Sequence, residues 1–133
     1  MTAQRETHSA RVVVPRPERV RRIGPSGFGW LDAHLRKQGW LELLTTEDLA
    51  VYSFLCLVAN PQGVSWYRRD RIGQALGIGD DALRHTLKRL YALDLVAYRP
   101  FGRHASDGFH QVLSLSPEGP PEAVAWLEGE SIP

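Results

Sequence analysis

The chain has 133 residues, 43% of them apolar and 23% charged, which is the profile of one ordinary globular domain and excludes a disordered or fibrous polymer. No apolar run approaches the ~18–20 residues of a membrane span, and the opening MTAQRETHSA lacks the apolar stretch of a secretory leader. The single cysteine, Cys56, excludes a disulfide framework and a thiolate zinc site, so we expect a reduced, soluble, cytoplasmic protein with no membrane partner.

Residues 1–29 read as a basic flexible arm. VVVPRPERVRRI holds two prolines two positions apart and GPSGFG has three glycines, so neither stretch is a stable helix. From Trp30 the pattern changes: Trp30, Leu31, His34 and Leu35 share one face of a short helix that Gly39 ends. Thr45, with Asp48 three residues on, then opens the clearest helix, in which Leu49, Tyr52, Leu55, Cys56 and Ala59 recur at helical spacing. Asn60-Pro61-Gln62-Gly63 stops it, and GVSWY is a short β-prone run.

Ile72, Ala75 and Leu76 mark a further short helix that ends at Gly77. Leu83, Leu87 and Leu90 mark a longer one, over about 80–92, and only Gly77-Ile78-Gly79 joins the two. After Asp94 the period becomes extended. VAYRPF, a GRHASDG turn with Asp107-Gly108, and FHQVLSL predict a two-stranded hairpin. We read 30–116 as one domain, α+β and mainly helical, and 117–133 as an acidic tail that forms one short helix beginning near Pro121.

The net charge of +1 conceals a strong asymmetry. Residues 1–37 carry eight basic and three acidic side chains, and residues 68–103 carry eight and four. Between and after them, 38–67 and 104–133 carry no Lys or Arg and three and five acidic groups. Two basic segments set between acidic ones suit a surface that meets a polyanion. Fourteen of the sixteen basic residues are Arg, a bias that a GC-rich genome also produces.

A short helix, a three-residue glycine turn, a longer basic helix and a hairpin form the order of a winged helix-turn-helix. The stretch IGQALGIGDDALRHTLKRLYALDLVAYRP resembles the corresponding signature of bacterial regulators of the MarR and GntR class. WLDAHL and GVSWY on either side of the core helix are also similar to small winged-helix proteins of plasmids and mobile elements. The resemblance spans about residues 40–116. It implies that the 80–92 helix enters the DNA major groove and that the hairpin is a wing on the backbone or in the minor groove. In two respects the chain differs from the pattern: Gly79 stands where the family carries a Ser or Thr cap, and Asp80 and Asp81 stand where it carries small polar residues.

With the three leucines facing inward, Asp81, Arg84, His85, Lys88 and Arg89 fall on the opposite or flanking faces. Arg forks onto guanine, Lys and His reach base edges or phosphates, and Asp81 is able to accept from a cytosine amino group. The bland alternative is a solvated basic face. Arg99, Arg103 and His104 are the candidate wing contacts, beside the alternative of an ordinary exposed loop. Arg68 and Arg69, with Arg71, begin the helix before the turn, where the resemblance implies phosphate contact. Arg19, Arg21 and Arg22, together with Arg16, are candidates for a minor groove, for a solubilising tail or for pairing with the acidic C-terminal tail.

Catalytic constellations are missing. The five histidines contain no HExxH pair and no ligand spacing, so no metal and no cofactor are expected, and GPSGFG lacks the strand and βαβ unit of a dinucleotide fingerprint. Cys56 reads as a core residue, and Trp30, Trp40, Trp66 and Trp126 as core or interface anchors. The leading expectation is sequence-specific binding of double-stranded DNA by a non-enzymatic regulator, most simply a homodimer using Trp30, Leu31, Leu35, Val124, Trp126 and Leu127. Two alternatives stand beside it: an accessory or initiator factor that works with other proteins of a nucleoprotein complex on a mobile element or plasmid, and a winged helix used as a protein-protein interaction module, for which Asp80 and Asp81 would be the signature.

Overall fold

Thr45 opens the helix around which the rest of the chain packs. In the computed structural model, which describes residues 11–121, the Thr45 hydroxyl accepts from the Asp48 backbone N–H at 3.0 Å, and the Asp48 carboxylate accepts from the Thr45 N–H at 2.9 Å. Both halves of a capping box are made, with Asp in the place of the more common Glu. A single turn, α1 (Trp40–Leu43), precedes this helix, α2 (Thr46–Val58). The chain leaves α2 through Asn60, whose side-chain oxygen accepts from the N–H groups of Gln62 and Val64 at 2.8 and 3.0 Å. Gly63 then takes φ +85, and a side chain there would collide with the Val112 carbonyl.

Strand β1 is shorter than the β-prone run suggested, Val64–Ser65 only. Tyr67 leaves the sheet to set its ring edge-on to Phe54, with centroids 5.3 Å apart, which leads the chain into α3 (Arg69–Leu76). Gly77 ends α3 in the left-handed region, and Gly79 begins α4 (Asp80–Ala92) with no side-chain cap. Helix α4 stops through Asp94, a non-glycine residue at φ +60, while the Leu95 N–H returns to the Leu90 carbonyl at 3.1 Å.

Strands β2 (Val96–Pro100) and β3 (Gly108–Val112) pair antiparallel from Val96 opposite Val112 to Pro100 opposite Gly108. Strand β1 joins the far side of β3, giving the order β1-β3-β2. Pro100 lies on the edge strand, where its missing N–H costs no ladder bond. Gly108 belongs to the ladder rather than to the turn, because a side chain there would meet the backbone of Arg99 and Pro100. The turn is loop 101–107.

The core is where the helices meet. Val51, Tyr52 and Leu55 of α2, Ile72 of α3, and Leu83, Leu87 and Leu90 of α4 are buried together with Trp40, Leu93, Leu95 and Val96. Each such aliphatic side chain contributes roughly 1.5–3 kcal/mol. The fold is α+β, helices followed by an antiparallel hairpin packed with β1, the arrangement of a winged helix-turn-helix.

Two expectations need correction. The helix expected from Trp30 is only the 3-10 turn Ala33–Arg36. Asp32 caps it by accepting from the His34 N–H at 2.9 Å, and Gln38 and Gly39 break the chain with φ +59 and +85. Of the tryptophans expected as core or interface anchors, Trp40 is in the core, while Trp30 and Trp66 are 70% and 57% exposed. Leu35 is a core residue, not an interface group. Beyond the hairpin, residues 113–121 come back to the turn at 33–39: His34 Nε2 lies 3.3 Å from the Pro117 carbonyl, and Gly119 sits against Gln38. Residues 1–10 of the expected arm, and the tail helix with Val124, Trp126 and Leu127, lie outside the described residues.

Candidate nucleic-acid interface

Glycine builds the turn between α3 and α4. Gly77 takes φ +68, its N–H returns to the Gly73 carbonyl, and Gly73 has no room for a side chain beside the Ile78 carbonyl. With Leu83, Thr86, Leu87 and Leu90 buried, α4 presents Asp81, Arg84 and Lys88 to solvent and keeps His85 half-buried. These four are brought together on one face as the spacing implied.

Arg89 is not part of that face. Its guanidinium is turned inward, with Nε 3.1 Å from Asp48 Oδ2 and Nη2 donating to the Leu43 carbonyl at 3.3 Å; side-chain exposure is 8% for Arg89 and 1% for Asp48. Arg89 is therefore a core residue, contrary to the expectation of DNA contact. It lies three residues after Thr86 and one before Leu90, both buried, so the inward stripe of α4 is wider than three leucines mark out.

Asp80 meets two of the candidate cations. It accepts from Arg69 Nε at 3.0 Å, and Arg84 lies 3.7 Å away one helical turn on. Arg69 also donates to the Ser106 carbonyl at 3.1 Å, and its backbone N–H donates to Asp107 at 2.9 Å. Arg69 thus joins the start of α3, the start of α4 and the wing loop, and the bond to Asp80 raises its pKa further. The Asp80 charge that would repel a phosphate is offset by these arginines. Arg68 is exposed and paired with Asp70 at 2.7 Å; that bond lowers the Asp70 carboxyl and raises Arg68. Arg71 is exposed.

Arg99, Arg103 and His104 are all exposed, Arg99 on β2 and the other two in the loop of the wing. His110 is opposite Tyr98 on β2 and Ser65 on β1. In the arm, Arg16, Arg19, Arg21 and Arg22 are exposed, with Arg16 paired to Glu18 at 2.6 Å.

Where α4 meets the wing, a cleft of about 190 Å³ is lined by Arg69, Arg84, Lys88, Tyr91, Tyr98 and His110. The three rings pack on one another at centroid distances of 5.2–6.0 Å, and the Tyr91 hydroxyl lies 2.9 Å from His110 Nε2. Burial lowers the His110 pKa, so the imidazole is held neutral, and burial raises the Tyr91 phenol. Reading the sequence for cations missed these aromatics. His110 alternates with the exposed Phe109 and Gln111 on β3, the signal that the sequence carried. The wing also exposes Phe101 and Phe109, edge-to-face at 5.0 Å.

Among the described residues no group of His, Cys, Asp and Glu could hold a metal ion, and no helix is long and apolar enough to cross a membrane. Comparison with protein families, curated proteins and solved structures finds no match to this chain.

Proposed function

We propose that the protein is a sequence-specific double-stranded DNA-binding protein, most simply a transcriptional regulator. Helix α4 enters the major groove and the wing lies on the backbone or in the minor groove. One observation carries this reading: Arg84 and Lys88 of α4 and Arg69 of α3 border one cleft with Tyr98 of the wing, so cations from two helices converge on one surface beside the wing. Affinity comes mainly from phosphate neutralisation, and choice of site from the few side chains of α4 that reach base edges. One such domain covers little DNA, so two copies on a two-fold site are the natural functional unit. A role as an accessory or initiator factor of a mobile element uses the same surface.

A second reading is favoured by the carboxylates. Arg68, Arg69 and Arg84 each already have an acidic partner, and Asp81 is exposed beside them, which suits a polar protein interface. Selection of bound duplexes from a random pool, followed by titration in rising salt, separates the two. An enriched motif with a steep salt dependence supports DNA recognition, and the absence of both hands the surface to a protein partner.

A further inference from the structure

A separate concave feature, away from that surface, lies between the end of the arm and the C-terminal end of α2. It is a cavity of about 440 Å³, within the roughly 300–1,000 Å³ of small-molecule sites. Two glycines shape its walls. Gly29 lets residues 28–32 lie directly on α2, because a side chain there would come within 2.8 Å of the Cys56 carbonyl and 2.7 Å of the Leu57 Cα. Gly63 lets loop 60–63 close on β3, where the Val112 N–H donates to the Gly63 carbonyl at 2.9 Å.

Among the described residues that line it, Asp32 is the only one with a charge at neutral pH. Asp32 Oδ1 caps the following turn at 2.9 Å, and Oδ2 has no partner among the described residues. Tyr52, buried and hydrogen-bonded to Cys56, forms part of the lining. Burial first, then the neighbouring Cys56 and lastly the Asp32 carboxylate, push its phenol above the ordinary range, so Asp32 is within electrostatic reach of that ring. Trp30 and Phe28 stand at the opening 70% and 68% exposed, their ring faces unspent on the core. The last turn of α2 adds Cys56 and Ala59 to the lining, where a helix carries its partial negative charge.

We propose that this cavity binds a small organic cation, an alkylammonium or aromatic ammonium compound. A carboxylate, three aromatic rings and a helix C-terminus each favour a positive charge, and a cation over an aromatic face gains further from the ring quadrupole. No Lys or Arg is among the described residues that line the cavity. The site is separate from the α4 face, so it stands whether or not the protein binds DNA.

The test is calorimetric titration of the full chain with benzyltrimethylammonium, benzyl alcohol and benzoate, with the Trp30 indole N–H followed by NMR. The expected result is that the cation binds at least about ten-fold more tightly than either other probe and shifts the Trp30 signal. Asp32→Asn, which keeps the capping oxygen, and Trp30→Ala, which removes an exposed ring, should each abolish that preference while leaving the melting transition in place. Equal binding of all three probes, or no binding of the cation, would overturn the proposal. So would a cation preference that survives both substitutions.

Discussion

Asp48 and Arg89, separated by 41 positions in sequence, form a buried ion pair at 3.1 Å that ties the start of α2 to the last turn of α4. The same carboxylate completes the capping box with Thr45, and the same guanidinium reaches the Leu43 carbonyl. One polar junction thus holds the core helix, the turn before it and the candidate recognition helix in register. Removing one partner leaves the other charge buried. Arg89→Ala should therefore cost roughly 3–5 kcal/mol in urea unfolding, while the protein that remains folded keeps its DNA site preference. A variant of undiminished stability would show that the pair does not hold the helices.

Leu55 and Leu87 are 0% and 4% exposed, α2 against α4. Truncating either to Ala should cost about 2–5 kcal/mol, a large part of the stability of a domain this size. Parent-like urea midpoints would mean that the α2–α4 packing is wrong.

The exposed face of α4 and the wing should separate under alanine substitution. Where Arg84, His85 or Lys88 makes a base-edge contact, its loss should cost ~1–3 kcal/mol of binding and relax choice at one base position. Arg103→Ala should weaken all duplexes alike and make the salt slope about one unit shallower. With about six phosphates neutralised per protomer, the parent slope should be near −5. Arg69 is different, since it bonds Asp80 and the Ser106 carbonyl; its loss should loosen the wing and lower melting temperature as well as affinity. Unchanged affinity and site choice in all three α4 variants would rule out α4 as a recognition helix.

Stability should fall on mild acidification. His110 has its pKa lowered from 6.5 by burial, only partly opposed by Asp107, so below about pH 6.5 the unfolded chain takes up a proton that the folded one refuses. Since the unfolded state binds more protons there, unfolding free energy should drop as pH falls through that value, by up to about 1.4 kcal/mol per pH unit until the folded imidazole also protonates. His110→Gln should flatten this fall below about pH 6.5. An identical pH profile would assign the loss to other groups.

Asp94 occupies φ +60 after α4, a conformation that costs an L-residue with a Cβ about 1 kcal/mol relative to glycine. Asp94→Gly should raise stability by a few tenths to about 1 kcal/mol, read as a higher urea midpoint. A lower midpoint would mean that the Asp side chain repays the strain locally.

The helices, the glycine turn and the hairpin were legible because each is specified locally. Leucine spacing marks an α4 face within a few residues, Thr45 and Asp48 are close enough to cap one another, and an alternating run after Asp94 can only be extended. The outward placement of Arg84 and Lys88 follows from the same period. What the chain could not reveal one segment at a time were pairings between distant segments. Arg89 looked like its basic neighbours because its partner Asp48 lies on another helix, and charge alone does not say which face of α4 the core will claim. Arg69 likewise became a junction only when Asp80 and the wing loop folded around it. Trp30 carries a core-like side chain but stays exposed, because Gly29 and Asp32 commit the backbone there to a close approach and a 3-10 turn. Tertiary packing decided these cases, since the cost of burying a charge or exposing a ring depends on which surface arrives opposite it.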